Sequence, residues 1–299
     1  MTQLSRVLIN TTGSGKTRLL LDGLCHRWGF YFVAQHDSAG VGSRDLWGIM
    51  RDYQRAKRMK VASNSQAAVN HMHETVEHRL AQLLLARFIL LCFLIREANN
   101  TPGGLQEKVH RRLWVLLQAR PTIFSADFDV DIFADLANLL RGSSIHDLKS
   151  CIRFYYRELL LFLKPVRNPA TDADETPPLF CVLDEAQATT TLHMGDFMSD
   201  DRTTNRPILR EIWLLWSTIL NSEQMRLVLS ATGIKLQALK ETLASSALKL
   251  HSYMVKSHIG AFEKSESQAE YIKRYVPACW ANPDWAEFLA RSWRWFHGR

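Results

Sequence analysis

Asn10-Thr11-Thr12-Gly13-Ser14-Gly15-Lys16-Thr17 is the stretch whose reading decides the fold. An apolar run, Val7-Leu8-Ile9, leads into it, and an apolar-periodic run of Leu19, Leu20, Leu21 and Leu24 leads out. Strand, glycine turn and helix in that order are the context a phosphate-binding loop requires. Backbone N–H groups of such a turn and of the helix N-terminus converge on one spot, where the helix dipole adds partial positive charge. Gly13 and Gly15 let the backbone approach phosphate oxygens with no Cβ in the way. On this reading Asn10, Thr11, Thr12, Gly13, Ser14, Gly15, Lys16, Thr17 and Arg18 line a nucleotide site. Lys16 reaches the β- and γ-phosphates of ATP, and the Thr17 hydroxyl sits on Mg²⁺. Asn10 departs from the pattern, which expects glycine there; asparagine tolerates a left-handed φ better than other non-glycine residues. A chance GSGKT in a surface turn is the bland alternative, and the flanking strand and helix signals speak against it.

A second constellation lies far along the chain. Leu179-Phe180-Cys181-Val182-Leu183 is a continuous apolar run, the signature of a central parallel strand, and Asp184-Glu185 follows it directly. At the tip of a buried strand, one carboxylate (Asp184) suits a Mg²⁺ ligand and its neighbour (Glu185) suits the group that polarises the attacking water. Capping of the next helix is the competing role for such a pair. Met225–Leu229 is followed in the same way by Ser230-Ala231-Thr232-Gly233. Ser230 and Thr232 are therefore candidates to sense the γ-phosphate or the lytic water, with Thr232 equally suited to a helix cap. Charge developing on a transferred phosphoryl group calls for arginine; the candidates are Arg202, Arg206, Arg210, Arg226, Arg294 and Arg299.

The remaining sequence sets these motifs in a frame. With 299 residues, 46% hydrophobic and 22% charged, the chain has the composition of a globular protein with a sizeable core. A net charge of +7 leans weakly towards polyanionic partners, with basic clusters over 51–60 and 108–112. The five cysteines (Cys25, Cys92, Cys151, Cys181 and Cys279) form no CxxC, and four read as buried thiols in a reducing compartment. The longest apolar run, Leu83–Ile95, contains Arg87 and at about 13 residues is shorter than a membrane span. No secretory signal opens the sequence, so the expectation is an intracellular protein, of cytoplasm or nucleus, with no membrane partner. His71, Glu74 and His78 share a helix face, but His73-Glu74…His78 is one residue too long for HExxH. Trp285, Phe288, Leu289, Trp293 and Phe296 fall on one helical face and are expected to pack as core rather than to stack on bases.

Five candidate strands alternate with helices: residues 4–9, 30–34, 179–183, 225–229 and 250–255. That pattern predicts an α/β fold, a mostly parallel five-stranded sheet of P-loop NTPase type flanked by helices. A large all-helical insertion, 45–164, separates strands two and three, and an acidic proline-rich linker, 165–178, closes it. The NTPase core is then 1–36 and 179–299 of one domain, with 190–206 polar and mobile in character. A helix is expected over 234–248.

The set NTTGSGKTRLLLDGL, WGFYFV, LFCVLDEAQ, PILREIW, LVLSATG, YIKRYVP and WRWFHGR resembles the P-loop ATPase module of fungal and oomycete crinkler-type proteins, and more distantly retrotransposon hot spot proteins. The likeness spans almost the whole chain, densest in the sheet segments. It implies an ATPase of the class with an additional catalytic glutamate, which Glu185 matches, and it matches Arg299 to a terminal arginine suited to sensing the γ-phosphate. It also implies flanking header and nuclease-like domains, so the chain is expected to be a fragment lacking them.

The catalytic set expected is Glu185, Lys16, Thr232 and Arg299, with Thr17 and Asp184 on the metal. The function expected is an ATP-binding, ATP-hydrolysing switch that uses Mg²⁺ and signals to a protein partner or effector domain. Two alternatives stand beside it. One is a nucleic-acid-stimulated helicase-like motor, which TTGSGKT, DEAQ and SAT suggest but which needs a second lobe that the length does not supply. The other is a degenerate nucleotide-binding interaction protein that has lost turnover. The oligomeric state is not legible from sequence.

Overall fold

The computed structural model describes residues 5–10, 15–36, 40–60, 66–123, 130–163, 166–167, 174–175, 178–191, 197–198, 205–219, 225–232, 253–256, 264–275 and 284–296. Five strands form one sheet: β1 (Ser5–Asn10), β2 (Gly29–Val33), β3 (Leu179–Asp184), β4 (Met225–Thr232) and β5 (Tyr253–Lys256). Their spatial order is β2-β3-β4-β1-β5, and every pairing is parallel. Parallel neighbours need crossovers, and helices supply them. Between β1 and β2 runs α1 (Lys16–His26). Between β2 and β3 lie α2 (Asp45–Lys60), α3 (Gln66–Asn100), α4 (Glu107–Ala119), α5 (Ile132–Leu139) and α6 (Ile145–Phe162). The short α7 (Gln187–Thr191) and α8 (Ile208–Ile219) link β3 to β4, and α9 (Ser265–Tyr275) and α10 (Trp285–Phe296) follow β5. The helix expected over 234–248 lies outside the described residues.

Register assigns the two faces of the sheet. Phe32, Leu183, Leu229 and Val7 align across four strands and join a core with Leu80, Leu84, Phe88 and Trp216 from α3 and α8. One residue further along each strand is the opposite row, Val33, Asp184 and Leu8, which faces α1. There Tyr31, Val33, Val182, Val228 and Leu8 pack on Leu20 and Leu24 of α1 and on Val115 of α4. Because side chains alternate in a strand, a single register step decides that the last residue of β3 points to the α1 side.

As an edge strand β2 would expose polar backbone, yet its five residues are all buried. The cover is made of side chains from the helices. Gln118 of α4 accepts from Tyr31 N–H at 2.8 Å and donates to Gly29 C=O at 3.3 Å, as a neighbouring strand would. Trp114 Nε1 donates to the same Gly29 carbonyl at 2.8 Å. Arg87 of α3 reaches the Tyr31 carbonyl at 3.5 Å. The helical layer thereby closes an edge that would otherwise template aggregation.

Arg87 interrupts the apolar side of α3 and is fully buried. It pairs with Asp45 at 2.8 Å and lies over the rings of Phe133 (3.8 Å) and Phe32 (4.8 Å). The span Glu74–Asn100, 27 residues, is by length and composition apolar enough to cross a membrane, which corrects the shorter span read from 83–95. In the folded chain 67% of its most apolar window is buried inside the protein.

Four further expectations change. Residues 165–178 contain a two-residue antiparallel ladder, Val166–Arg167 with Asp174–Glu175. The segment 190–206 is partly regular. Thr189 and Thr190 turn their hydroxyls back to Ala186 and Gln187 carbonyls at the start of α7, and Phe197–Met198 pairs with Asn205–Arg206. Cys151 is exposed and Cys25 half-buried, against Cys92 and Cys181 in the core. The apolar face of α10 is only partly covered: Trp285, Leu289 and Trp293 are half-buried, while Phe288 is 48% exposed and stacks on Trp285 at 5.3 Å. Among the described residues of α10 Ser292 is the buried one, its carbonyl facing Gln268 of α9.

Breaking the Arg87–Asp45 pair from one side leaves a buried charge behind. Arg87→Met is expected to cost about 3–5 kcal/mol in urea unfolding. Adding Asp45→Asn, which keeps an oxygen for the Leu46 N–H, should restore most of that loss. Equal stability of wild type and Arg87→Met would contradict the pairing.

Candidate functional site

The carboxyl ends of parallel strands are where α/β sheets bind ligands, and the sequence candidates are distributed around that edge. Asn10 is the last residue of β1, in register with Thr232 of β4, so it is a strand residue rather than the first of the turn. Thr11, Thr12, Gly13 and Ser14 lie outside the described residues, as does Arg299. Gly15 stands at the N-cap of α1 with φ +77°, the left-handed region where glycine has no steric penalty. Its carbonyl accepts from Leu19 N–H at 2.9 Å, which opens the helix.

Lys16 is the first residue of α1 and only 5% exposed. Burial holds its amine below the usual lysine range, opposed by the charges of Glu185 and then Asp184. Thr17 follows, and its Oγ1 donates to Asp184 Oδ2 at 2.6 Å. Two segments 167 positions apart in sequence thus meet at the edge of the sheet. Arg18 is turned away. It is exposed, bonds the Tyr271 hydroxyl and lies over that ring at 5.0 Å, so it braces α9 instead of lining the site.

Asp184 is 1% exposed, and both of its oxygens have donors. Oδ2 takes Thr17 and the Tyr31 hydroxyl at 3.0 Å; Oδ1 takes Glu185 N–H at 2.9 Å. Glu185 has φ +53°, and among the described residues it is the non-glycine residue with positive φ. A left-handed glutamate costs about 1–2 kcal/mol and persists only where its surroundings impose it. Here Ala186 N–H is drawn to the Ser230 carbonyl at 2.8 Å, which turns the chain sharply after β3. Gln187 then bonds the Glu185 carboxylate with its amide and accepts Thr232 N–H at 3.0 Å. The tips of β3 and β4 are tied through one side chain.

Ser230 is fully buried next to Asp184 in the cross-strand row, and its Oγ has no hydrogen-bond partner among the described residues. Thr232 is half-buried at the end of β4. Of the arginine candidates, Arg210 is 6% exposed and paired with Glu211 at 2.9 Å, Arg294 is exposed, and Arg202 lies outside the described residues. Of the histidine cluster, His78 bonds the Ser143 carbonyl and Glu74 is exposed, while the His71 side chain lies outside the described set. Among the described residues no group of three or more His, Cys, Asp or Glu is arranged to hold a metal.

Sequence reasoning passed over Tyr31 and Gln187. Gln187 stood inside the quoted DEAQ. Tyr31 had a signal too: in GFYFV it is the one residue with a hydroxyl, on the strand that closes the sheet edge.

No family model matches the chain. No curated protein matches it. Among solved structures, VirB4 of Thermoanaerobacter pseudethanolicus is similar at 11% identity and a TM-score of 0.22, over 93% of this chain and 76% of that one. A superposition that loose carries no weight on fold or function.

A lysine whose amine is lowered by burial costs stability while it is charged in the fold. That cost is present at neutral pH and disappears as pH rises through the lowered folded value towards the unfolded one. Lys16→Met is therefore expected to melt above wild type at pH 7, with the gap narrowing towards pH 10.5. A gap that widens with pH contradicts the burial argument.

Proposed function

We propose that the chain is a switch module that binds Mg²⁺–ATP, hydrolyses it slowly and couples the nucleotide state to a protein partner or attached effector domain. The observation that carries the reading is the 2.6 Å contact between Thr17 and Asp184 at the carboxyl edge of the sheet, with Lys16 and Glu185 adjacent in sequence. The residues fit the ion. A carboxylate and a hydroxyl are the hard oxygen donors that Mg²⁺ accepts alongside phosphates and water. The buried Lys16 amine and the left-handed Gly15 at a helix N-terminus fit a polyphosphate.

In this reading Thr17 and Asp184 hold the metal, and Lys16 with the N-terminal N–H groups of α1 holds the phosphates. Mg²⁺, when bound, neutralises charge on the β- and γ-phosphate oxygens. Glu185 is the general base: its carboxylate takes a proton from the attacking water. Gln187 orients that carboxylate and ties it to Thr232 N–H, so the placement of the base depends on the tip of β4. Such a tie supports coupling, because a ligand that moves one strand tip moves the other. The likeness to crinkler-type modules belongs to the same proposal, as does the division into an NTPase core and a helical insertion.

Replacing Glu185 by Gln keeps shape and removes the base. ATP affinity should stay near wild type while phosphate release falls by about 10²–10⁴-fold. Equal release by the two chains would remove hydrolysis from the account. Lys16→Ala should weaken ATP binding by about 1.5–3 kcal/mol, the worth of a charged hydrogen bond.

A further inference from the structure

We propose that Tyr31 is a positioning residue for the Asp184 carboxylate, and that α4 of the helical layer sets where Tyr31 stands. The proposal rests on the reading of Asp184 as a metal ligand.

Tyr31 belongs to an apolar cluster with Leu20, Leu24, Val33, Val182 and Val228. A phenylalanine would pack there as well. A phenol buried at 1% exposure is favourable there only if its O–H is matched, and Asp184 Oδ2 at 3.0 Å matches it. The other donors to this carboxylate carry second duties. Thr17 is itself read as a metal ligand, so its proton is not a dependable tether. Glu185 N–H belongs to the left-handed turn that follows the strand. Tyr31 donates from a rigid strand and has no such role in the chemistry.

Its position is fixed from outside the sheet. Gln118 holds its N–H at 2.8 Å, and Arg87 reaches its carbonyl at 3.5 Å. The loop after β2 passes close to its ring: at Gly42, with φ +94°, an added Cβ would lie 3.2 Å from Tyr31 Cε1 and 2.3 Å from Val33 Cγ2. That loop is in turn bonded to the end of α4 through Gly42 N–H and the Ala119 carbonyl at 2.9 Å. A continuous set of contacts therefore runs from α4 through Tyr31 to Asp184 and Thr17. Outer partners that orient metal-binding carboxylates govern metal affinity by about 10–100-fold.

The test measures binding of a fluorescent ATP analogue, mant-ATP, to wild type, Tyr31→Phe and Gln118→Leu while MgCl₂ is titrated, and again in EDTA. In Tyr31→Phe the Mg²⁺ concentration for half-maximal binding should rise about tenfold or more, with mant-ATP affinity in EDTA unchanged. Gln118→Leu should shift the Mg²⁺ midpoint in the same direction, and the double variant should go no further than Tyr31→Phe alone. An unmoved midpoint in Tyr31→Phe overturns the proposal. So does equal weakening with and without Mg²⁺, or a Tyr31→Phe chain that fails to fold, since the hydroxyl then serves the fold. Wild type that binds no mant-ATP overturns the nucleotide reading as well; wild type that binds with an unmoved variant overturns only the role of Tyr31.

Discussion

A carboxylate taken out of water costs several kcal/mol unless donors replace the lost solvent. Asp184 is 1% exposed at the end of a central strand, and the surrounding structure is arranged to supply those donors. One comes from α1, one from β2 and one from the backbone of the turn after β3. Each arrives because the sheet register puts Asp184 on the α1 side, in the row of Val33 and Leu8. A slip of one residue in β3 would send the carboxylate into the core formed by Phe32, Leu229 and Trp216. Hydrophobic patterning of the strand and the polar site at its tip therefore enforce the same register.

The helical layer is more than a filler between strands. Its side chains bond the backbone of Gly29 and Tyr31 on β2, an edge strand, and Arg87 is accommodated inside it by a carboxylate and two aromatic faces. Buried polar networks of this kind are costly when half-satisfied and rigid when complete. Tyr31 is where α4 and the carboxyl edge of the sheet are bonded to one residue, its N–H to Gln118 and its hydroxyl to Asp184.

The strands and helices were legible because their periods differ. LFCVL and GFYFV have no polar face, and Leu80, Leu84, Phe88, Leu91 and Ile95 repeat at helical spacing, so both kinds of element announce themselves. The residues GSGKT and DEAQ marked the two segments that meet. What pattern cannot supply is which strand lies beside which. The row joining Asp184 to Ser230 and the bridge from Gln187 to Thr232 depend on β3 pairing with β4, which no local signal specifies. Gln118 looked like an ordinary polar residue of α4; its role appears only when β2 is seen to be the sheet edge. Periodicity also overreached in α10. Shared spacing showed that Trp285 and Phe288 lie together, but not that Trp285 is half-buried while Phe288 stays exposed.

The most direct measurement of the central claim is a crystal structure of the chain grown with Mg²⁺ and a non-hydrolysable ATP analogue. The account predicts the triphosphate at the N-terminus of α1 against Lys16, with the cation bound by Thr17 and Asp184 and the Tyr31 hydroxyl still on the Asp184 carboxylate. Nucleotide bound elsewhere on the molecule, with the Thr17–Asp184 contact undisturbed, would contradict it.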